Sequence, residues 1–255
     1  MSTKTALITG ATSGIGAAFA NKFASLHYNL VITGRRQEKL EAFADELRKH
    51  HNVQVEVIQV ELSSERILEQ LIAKVKSIRN LEILVNNAGF IRINNFWEED
   101  ILTYNNMLKV QALAVMKLTY AALPEMIVNK KGAIINVSSI MAFFPFATQA
   151  IYAASKAFIS LFSESLNLEL RNKNIGVYVQ SLYPGPTISD IYQRKDANVT
   201  VAMQKQKRPW LWRYRMPAEL VVEKSLRSMQ KKQPICIPGW RNKLIILIGI
   251  LQRWF

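Results

Sequence analysis

Tyr152 and Lys156 lie four residues apart in Tyr-Ala-Ala-Ser-Lys, which puts a phenol and an ammonium on one face of a helix. A phenol and an ammonium so placed could act together, but their spacing alone has little weight. Chance produces this spacing in roughly every second chain of such composition, and context must decide. That context is Ile134-Ile135-Asn136-Val137-Ser138-Ser139, an apolar run ending in two hydroxyls, with Ser139 thirteen residues before the tyrosine. A second constellation is Thr9-Gly10-Ala11-Thr12-Ser13-Gly14-Ile15-Gly16, followed by a helical pattern from Ala17. Glycines there let the backbone turn tightly against a phosphate, and the positive end of the next helix binds the anion. The spacing is GxxxGxG and not the commoner GxGxxG; a turn without ligand is the alternative, and the flanking strand and helix favour a dinucleotide. Third comes Thr33-Gly34-Arg35-Arg36. NAD sites usually present a carboxylate here to the ribose 2′-hydroxyl, whereas Gly34 has none and Arg35 and Arg36 supply cations for a 2′-phosphate, with Ser13 and Thr33 as further donors. NADP(H) is the expected cofactor, although Arg36 also suits a solvated helix start.

Elements of two kinds must hold these groups. Thr5 to Thr9, Leu30 to Thr33, Val53 to Val60, Ile83 to Val85, Ala133 to Val137, Gly176 to Leu182 and Pro234 to Ile237 read as buried strands. Leu40, Phe43, Ala44 and Leu47 mark one helix face between them, and Ile67, Leu68, Leu71, Ile72, Val75 and Ile78 mark another. Strand and helix in alternation predict a Rossmann-like, doubly wound α/β fold, a mostly parallel sheet with helices on both faces. The carboxyl ends of such strands face the ligand crevice, which brings Ser139 near the nicotinamide. A single catalytic domain over 1–255 is expected, with a substrate lid at 186–216 and an apolar, basic C-terminal helix at 239–255. The uncharged run Leu244 to Leu251 is too short to span a bilayer core of about 30 Å; a packed helix or subunit contact is the leading reading, peripheral membrane contact the other.

Composition bounds the rest. The 255 residues are 49% hydrophobic, enough to bury a large core, and that excludes disorder and disulfide scaffolds. The lone Cys236 and the absence of a signal-like start point to a reducing, cytoplasmic setting. Net charge is +14, and residues 186–255 carry 14 Lys or Arg against 4 Asp or Glu. Such a surface attracts nucleic acid, anionic lipid or acidic substrates without distinguishing them. No nucleic-acid recognition module is present, and no such partner is expected. His27, His50 and His51 show no ligand spacing, so no metal is expected.

Together these residues resemble a short-chain dehydrogenase/reductase over essentially the whole chain. The resemblance is carried by the glycine turn, Asn86-Asn87-Ala88-Gly89, the Ser139, Tyr152 and Lys156 set, and Tyr183-Pro184-Gly185, in the family's order and spacing. It implies that Tyr152 gives a proton to a carbonyl oxygen as hydride arrives, or takes one from the alcohol in reverse. Lys156 would stabilise the phenolate and bind the nicotinamide ribose, and Ser139, not Ser138, would hold the substrate oxygen. Asn87, Ala88 and Gly89 would line the cofactor's adenosine side, while Pro184, Gly185 and Thr187 to Ser189 would border the nicotinamide amide. Two positions depart from the family pattern. Gln111 stands in place of an Asn that supports a proton relay from the lysine through water, and Glu61, followed by Leu62, replaces an Asp that contacts adenine.

The expected function is NADP-dependent oxidoreduction of a carbonyl or secondary alcohol by a homo-oligomer. Phe143, Phe144, Phe146, Trp210 and Trp212 suggest a large apolar substrate such as a ketone, steroid or fatty acyl group, and the nearby cations suggest that it carries negative charge. The alternative is an NADP-binding regulator without turnover, for which Gln111 is the one supporting feature.

Overall fold

In the computed structural model, which describes residues 4–189 and 214–251, seven strands form one sheet. They are β1 (Thr5–Thr9), β2 (Asn29–Gly34), β3 (Val55–Gln59), β4 (Leu81–Asn86), β5 (Gly132–Val137), β6 (Val177–Leu182) and β7 (Ile235–Cys236). Every pairing is parallel, in the order β3-β2-β1-β4-β5-β6-β7. Each predicted strand is present, with ends moved by at most two residues.

Along a strand, alternate side chains serve opposite faces. Ala6 and Ile8 of β1 join the core under α1 (Gly14–Ser25), α2 (Gln37–His51) and α7 (Ala218–Gln230), where Phe19, Phe23, Leu40, Leu47 and Val221 are buried. Leu7 points to the other core, under α3 (Glu65–Ser77), α5 (Ala114–Val128) and α6 (Ala150–Asn172), with Leu71, Val75, Leu118, Met126 and Leu170. Both faces are therefore covered, which explains why the central strands carry apolar residues toward both faces. α4 (Ile101–Leu108) is capped by Asp100, whose carboxylate accepts from the Leu102 N–H at 2.9 Å, in keeping with negative charge at a helix start.

Strand order reverses between β1 and β4, and a crevice opens there at the carboxyl ends. The final helix, α8 (Trp240–Leu251), closes the far side, with Ile245 and Ile246 against Ile140, Met141, Phe144 and Tyr183. Of the 186–216 stretch, the ends are described and pinned to each other: Ile188 N–H donates to Met216 O at 3.0 Å and Met216 N–H to Pro186 O at 2.9 Å. Residues 190–213, with Trp210 and Trp212, and the tail 252–255 lie outside the described residues.

Candidate active site

The half of the groove expected to hold the cofactor is built where β1 and β4 end. Thr9 Oγ1 accepts from the Asn87 and Ala88 N–H groups at 2.9 and 3.0 Å. The Asn87 amide in turn donates to the carbonyls of Thr9 and Gly10 at 3.0 and 3.1 Å. Asn87 thus braces the glycine turn while lining the groove. Gly10 and Gly14 adopt φ of +67° and +55°, values that side chains disfavour, and Gly14 is the first residue of α1. The turn leaves the first amides of α1 facing the groove, which suits a pyrophosphate.

At the end of β2, Arg36 Nη2 donates to Thr12 Oγ1 at 2.9 Å, fixing one guanidinium over the glycine turn. Arg35 Nη1 lies 3.7 Å from Glu61 Oε2. The other oxygen of Glu61 accepts from the N–H and hydroxyl of Ser63. A carboxylate therefore stands nearer this corner than the Gly34 substitution alone implies. Arg35 and Arg36 both line the groove beside this one carboxylate, and a half-exposed pair is worth at most about 1 kcal/mol.

β5 and α6 supply the other half of the groove. Lys156 is buried, its Nζ donating to Val137 O at 2.9 Å and lying 5.7 Å from the Tyr152 ring centroid. Burial pushes the Lys156 ammonium down to about 7. Ser138 and Ser139 have different partners. The Ser138 hydroxyl donates to Lys156 O at 2.8 Å, tying β5 to α6, whereas Ser139 Oγ accepts from Met141 N–H at 3.2 Å and keeps its own proton to give. Behind them, Asn136 accepts from the Asn86 amide at 2.8 Å and donates to Ser163 Oγ at 2.9 Å, a buried chain across β4, β5 and α6.

Gln111 sits in a π-helical turn, Lys109–Leu113, between α4 and α5; such turns re-aim a side chain out of the helical register. Gln111 is buried, its Nε2 reaches Ser155 Oγ only at 3.5 Å, and its Oε1 has no partner. Space for it exists because position 89 is glycine: a Cβ there would stand 2.7 Å from that oxygen.

A single groove of about 370 Å³ gathers these groups. Ser139, Tyr152, Lys156 and Gln111 line it together with Gly10, Thr12, Ser13, Gly14, Ile15, Thr33, Arg35, Arg36, Glu61, Leu62, Asn87, Ala88, Gly89, Pro184, Gly185, Thr187 and Ser189. Gly16 is the exception; it packs behind, where a Cβ would come within 2.3 Å of Gly10 O. Sequence reasoning missed Phe90, Ile140 and Met141, apolar members of the lining with no motif to flag them. The expected wall of Phe143, Phe144 and Phe146 is not among the lining residues. These rings pack one layer back, with Tyr183, Ile245 and Ile246, because the turn Ile140–Ala142 presents Met141 to the groove.

The fold has counterparts in known proteins. The family model for short chain dehydrogenases matches residues 4–200. A very-long-chain 3-oxoacyl-CoA reductase from Bos taurus is 36% identical over 70% of this chain, and the match spans only 58% of that longer protein. A short-chain dehydrogenase from Sphingobium yanoikuyae, solved with NADPH, is 30% identical and superposes with a TM-score of 0.84, covering 98% of this chain and 94% of that one. A bulky-bulky ketone specific alcohol dehydrogenase from Comamonas testosteroni is 28% identical, with a TM-score of 0.80 over all of this chain and 96% of its own. The chain belongs to the short-chain dehydrogenase/reductase family. It has that family's Rossmann-like fold, and the site residues expected from the sequence line one groove at the carboxyl ends of its strands.

Proposed function

We propose that the protein is an NADP(H)-dependent oxidoreductase that interconverts a carbonyl and a secondary alcohol on a large apolar substrate of ketone, steroid or fatty acyl type. The observation that carries this reading is the convergence of Ser139, Tyr152 and Lys156 on the groove headed by the glycine turn. When bound, the nicotinamide supplies or accepts the hydride. Ser139 donates a hydrogen bond to the carbonyl oxygen, since its Oγ already accepts from Met141. Tyr152 delivers the proton to that oxygen, and the Lys156 ammonium offsets the phenolate left behind. Lys156 also holds the nicotinamide ribose. Gln111 is the positioning residue behind them; its unpartnered Oε1 accepts from a water that continues the relay from Lys156.

Arg35 and Arg36 hold the 2′-phosphate, with Arg36 steadied by Thr12. Two likenesses support an apolar substrate: the bovine relative reduces very-long-chain 3-oxoacyl-CoA, and the Comamonas neighbour takes bulky ketones. Ile140, Met141 and Phe90 offer apolar lining of the same kind.

An NADPH-oxidation screen across ketones, aldehydes, keto acids and acyl thioesters tests the proposal, with NADH in parallel. Turnover should favour NADPH. Arg35→Ala should then weaken NADPH at least tenfold, the worth of a charge-assisted contact, and leave NADH nearly unchanged. Equal losses for both cofactors would refute the 2′-phosphate assignment.

A further inference from the structure

Helix α8 has two apolar sides with different neighbours. Its inner side is committed to the catalytic domain. Asn242 packs on Gly185, where a Cβ would fall 2.0 Å from the Asn242 Oδ1, and its amide donates to Pro238 O at 2.5 Å. Ile245 and Ile246 fill the cluster behind Met141, and Gly249 lets the Phe144 ring approach. The outer side recurs at helical spacing: Trp240 is 63% exposed, Leu247 54%, Ile248 38% and Leu251 51%, with Lys243 also exposed. An ordinary surface helix is polar on that side.

The charges around this apolar strip select its partner. Arg241 stands 4.5 Å from the Tyr214 ring centroid and 5.4 Å from that of Trp240, and its Nε is buried with no hydrogen bond. Trp, Tyr and Arg together are residues of the boundary between lipid headgroups and acyl chains. Residues 214–251 hold seven Lys or Arg against two Glu, and the first turn of α8 has no acid to oppose its cations. Two copies joined through this quarter would bring like charges together, whereas an anionic bilayer complements them. Twelve residues make a helix of about 18 Å, and no described helix is long and apolar enough to cross a membrane.

We infer that the outer face of α8 docks on an anionic phospholipid surface, lying in the headgroup plane with Trp240, Leu247, Ile248 and Leu251 inserted and Arg241 and Lys243 at the phosphates. The inference rests on the surface alone and is read without turnover, so it stands or falls apart from the proposed reaction. The full chain is sedimented with vesicles of phosphatidylcholine alone or mixed with phosphatidylglycerol, at low and high salt. It should pellet with the mixed vesicles and be released by salt. Leu247→Asp should abolish pelleting, and Lys243→Glu should weaken it about fivefold or more. Both variants should keep the cofactor-dependent activity of the wild type, since neither position lines the groove. No pelleting, equal pelleting with both vesicle types, or Leu247→Asp pelleting like wild type would overturn the inference. So would a lipid-free dimer that Leu247→Asp dissolves, which would assign the face to a second copy.

Discussion

Burial pushes the Lys156 ammonium down to about 7, and this has a stability consequence with a definite sign. The folded value lies below the unfolded value of about 10.4, so between these limits the unfolded chain binds more protons and stability rises with pH. The penalty is fully present below pH 7, on the order of 5 kcal/mol, and gone above about 10.4. Lys156→Met should melt higher than wild type at pH 7, with the gap narrowing as pH approaches 10; a constant gap in thermal melts would contradict the buried-ammonium account. The two serines separate differently. Ser139→Ala should cost about a hundredfold in kcat/KM with little change in melting. Ser138→Ala should instead lower stability by about 1–3 kcal/mol, because Lys156 O loses a buried donor. If Ser138→Ala proved the more damaging to turnover at full stability, the assignment would be reversed. At this scale the Tyr152 and Lys156 pair and the glycine turn were legible, since spacing alone puts them on one face or in one turn. The choice between Ser138 and Ser139 was not legible from local pattern, because it depends on a bond eighteen residues away.

Elements carry the site by their ends. β1, β4 and β5 stop at the glycine turn, Asn87 and Ser139, and the buried chain Asn86, Asn136 and Ser163 fixes β5 against α6, which holds Tyr152 and Lys156. Asn136→Ala leaves the amide of Asn86 and the hydroxyl of Ser163 without this partner, at about 2–4 kcal/mol in all. In a chain of this size, melting should fall by roughly 5–15 °C. An unchanged melting temperature would mean that the network does not brace the site. The strands and the helix faces were legible because both sheet faces are covered, and apolar runs then stand out. The π-helical turn at Gln111 left no periodic mark, since one extra residue in a turn does not disturb the apolar pattern on either side. The phenylalanines misled for a related reason: composition marks an apolar region but not whether it faces the groove or α8.

Across the whole molecule, the +14 net charge divides by task. Residues 1–185 hold 19 Lys or Arg and 15 Asp or Glu, nearly balanced, and in the proposed account Arg35 and Arg36 meet the cofactor's phosphate. The remaining excess lies around α8 and in 190–213, beyond the described residues. A fold of this kind hosts many reactions, so the account depends on the site more than on the sheet. Its central claim is that Tyr152 transfers the proton to the substrate oxygen, with Ser139, Lys156 and Gln111 supporting that transfer and the rest of the groove binding and orienting. Tyr152→Phe removes one oxygen and keeps the ring, so it separates these roles. With any substrate from the screen, NADPH turnover should fall at least a thousandfold, while NADPH affinity in a direct binding titration stays within about threefold of wild type. Turnover within tenfold of wild type, with binding intact, would contradict the account.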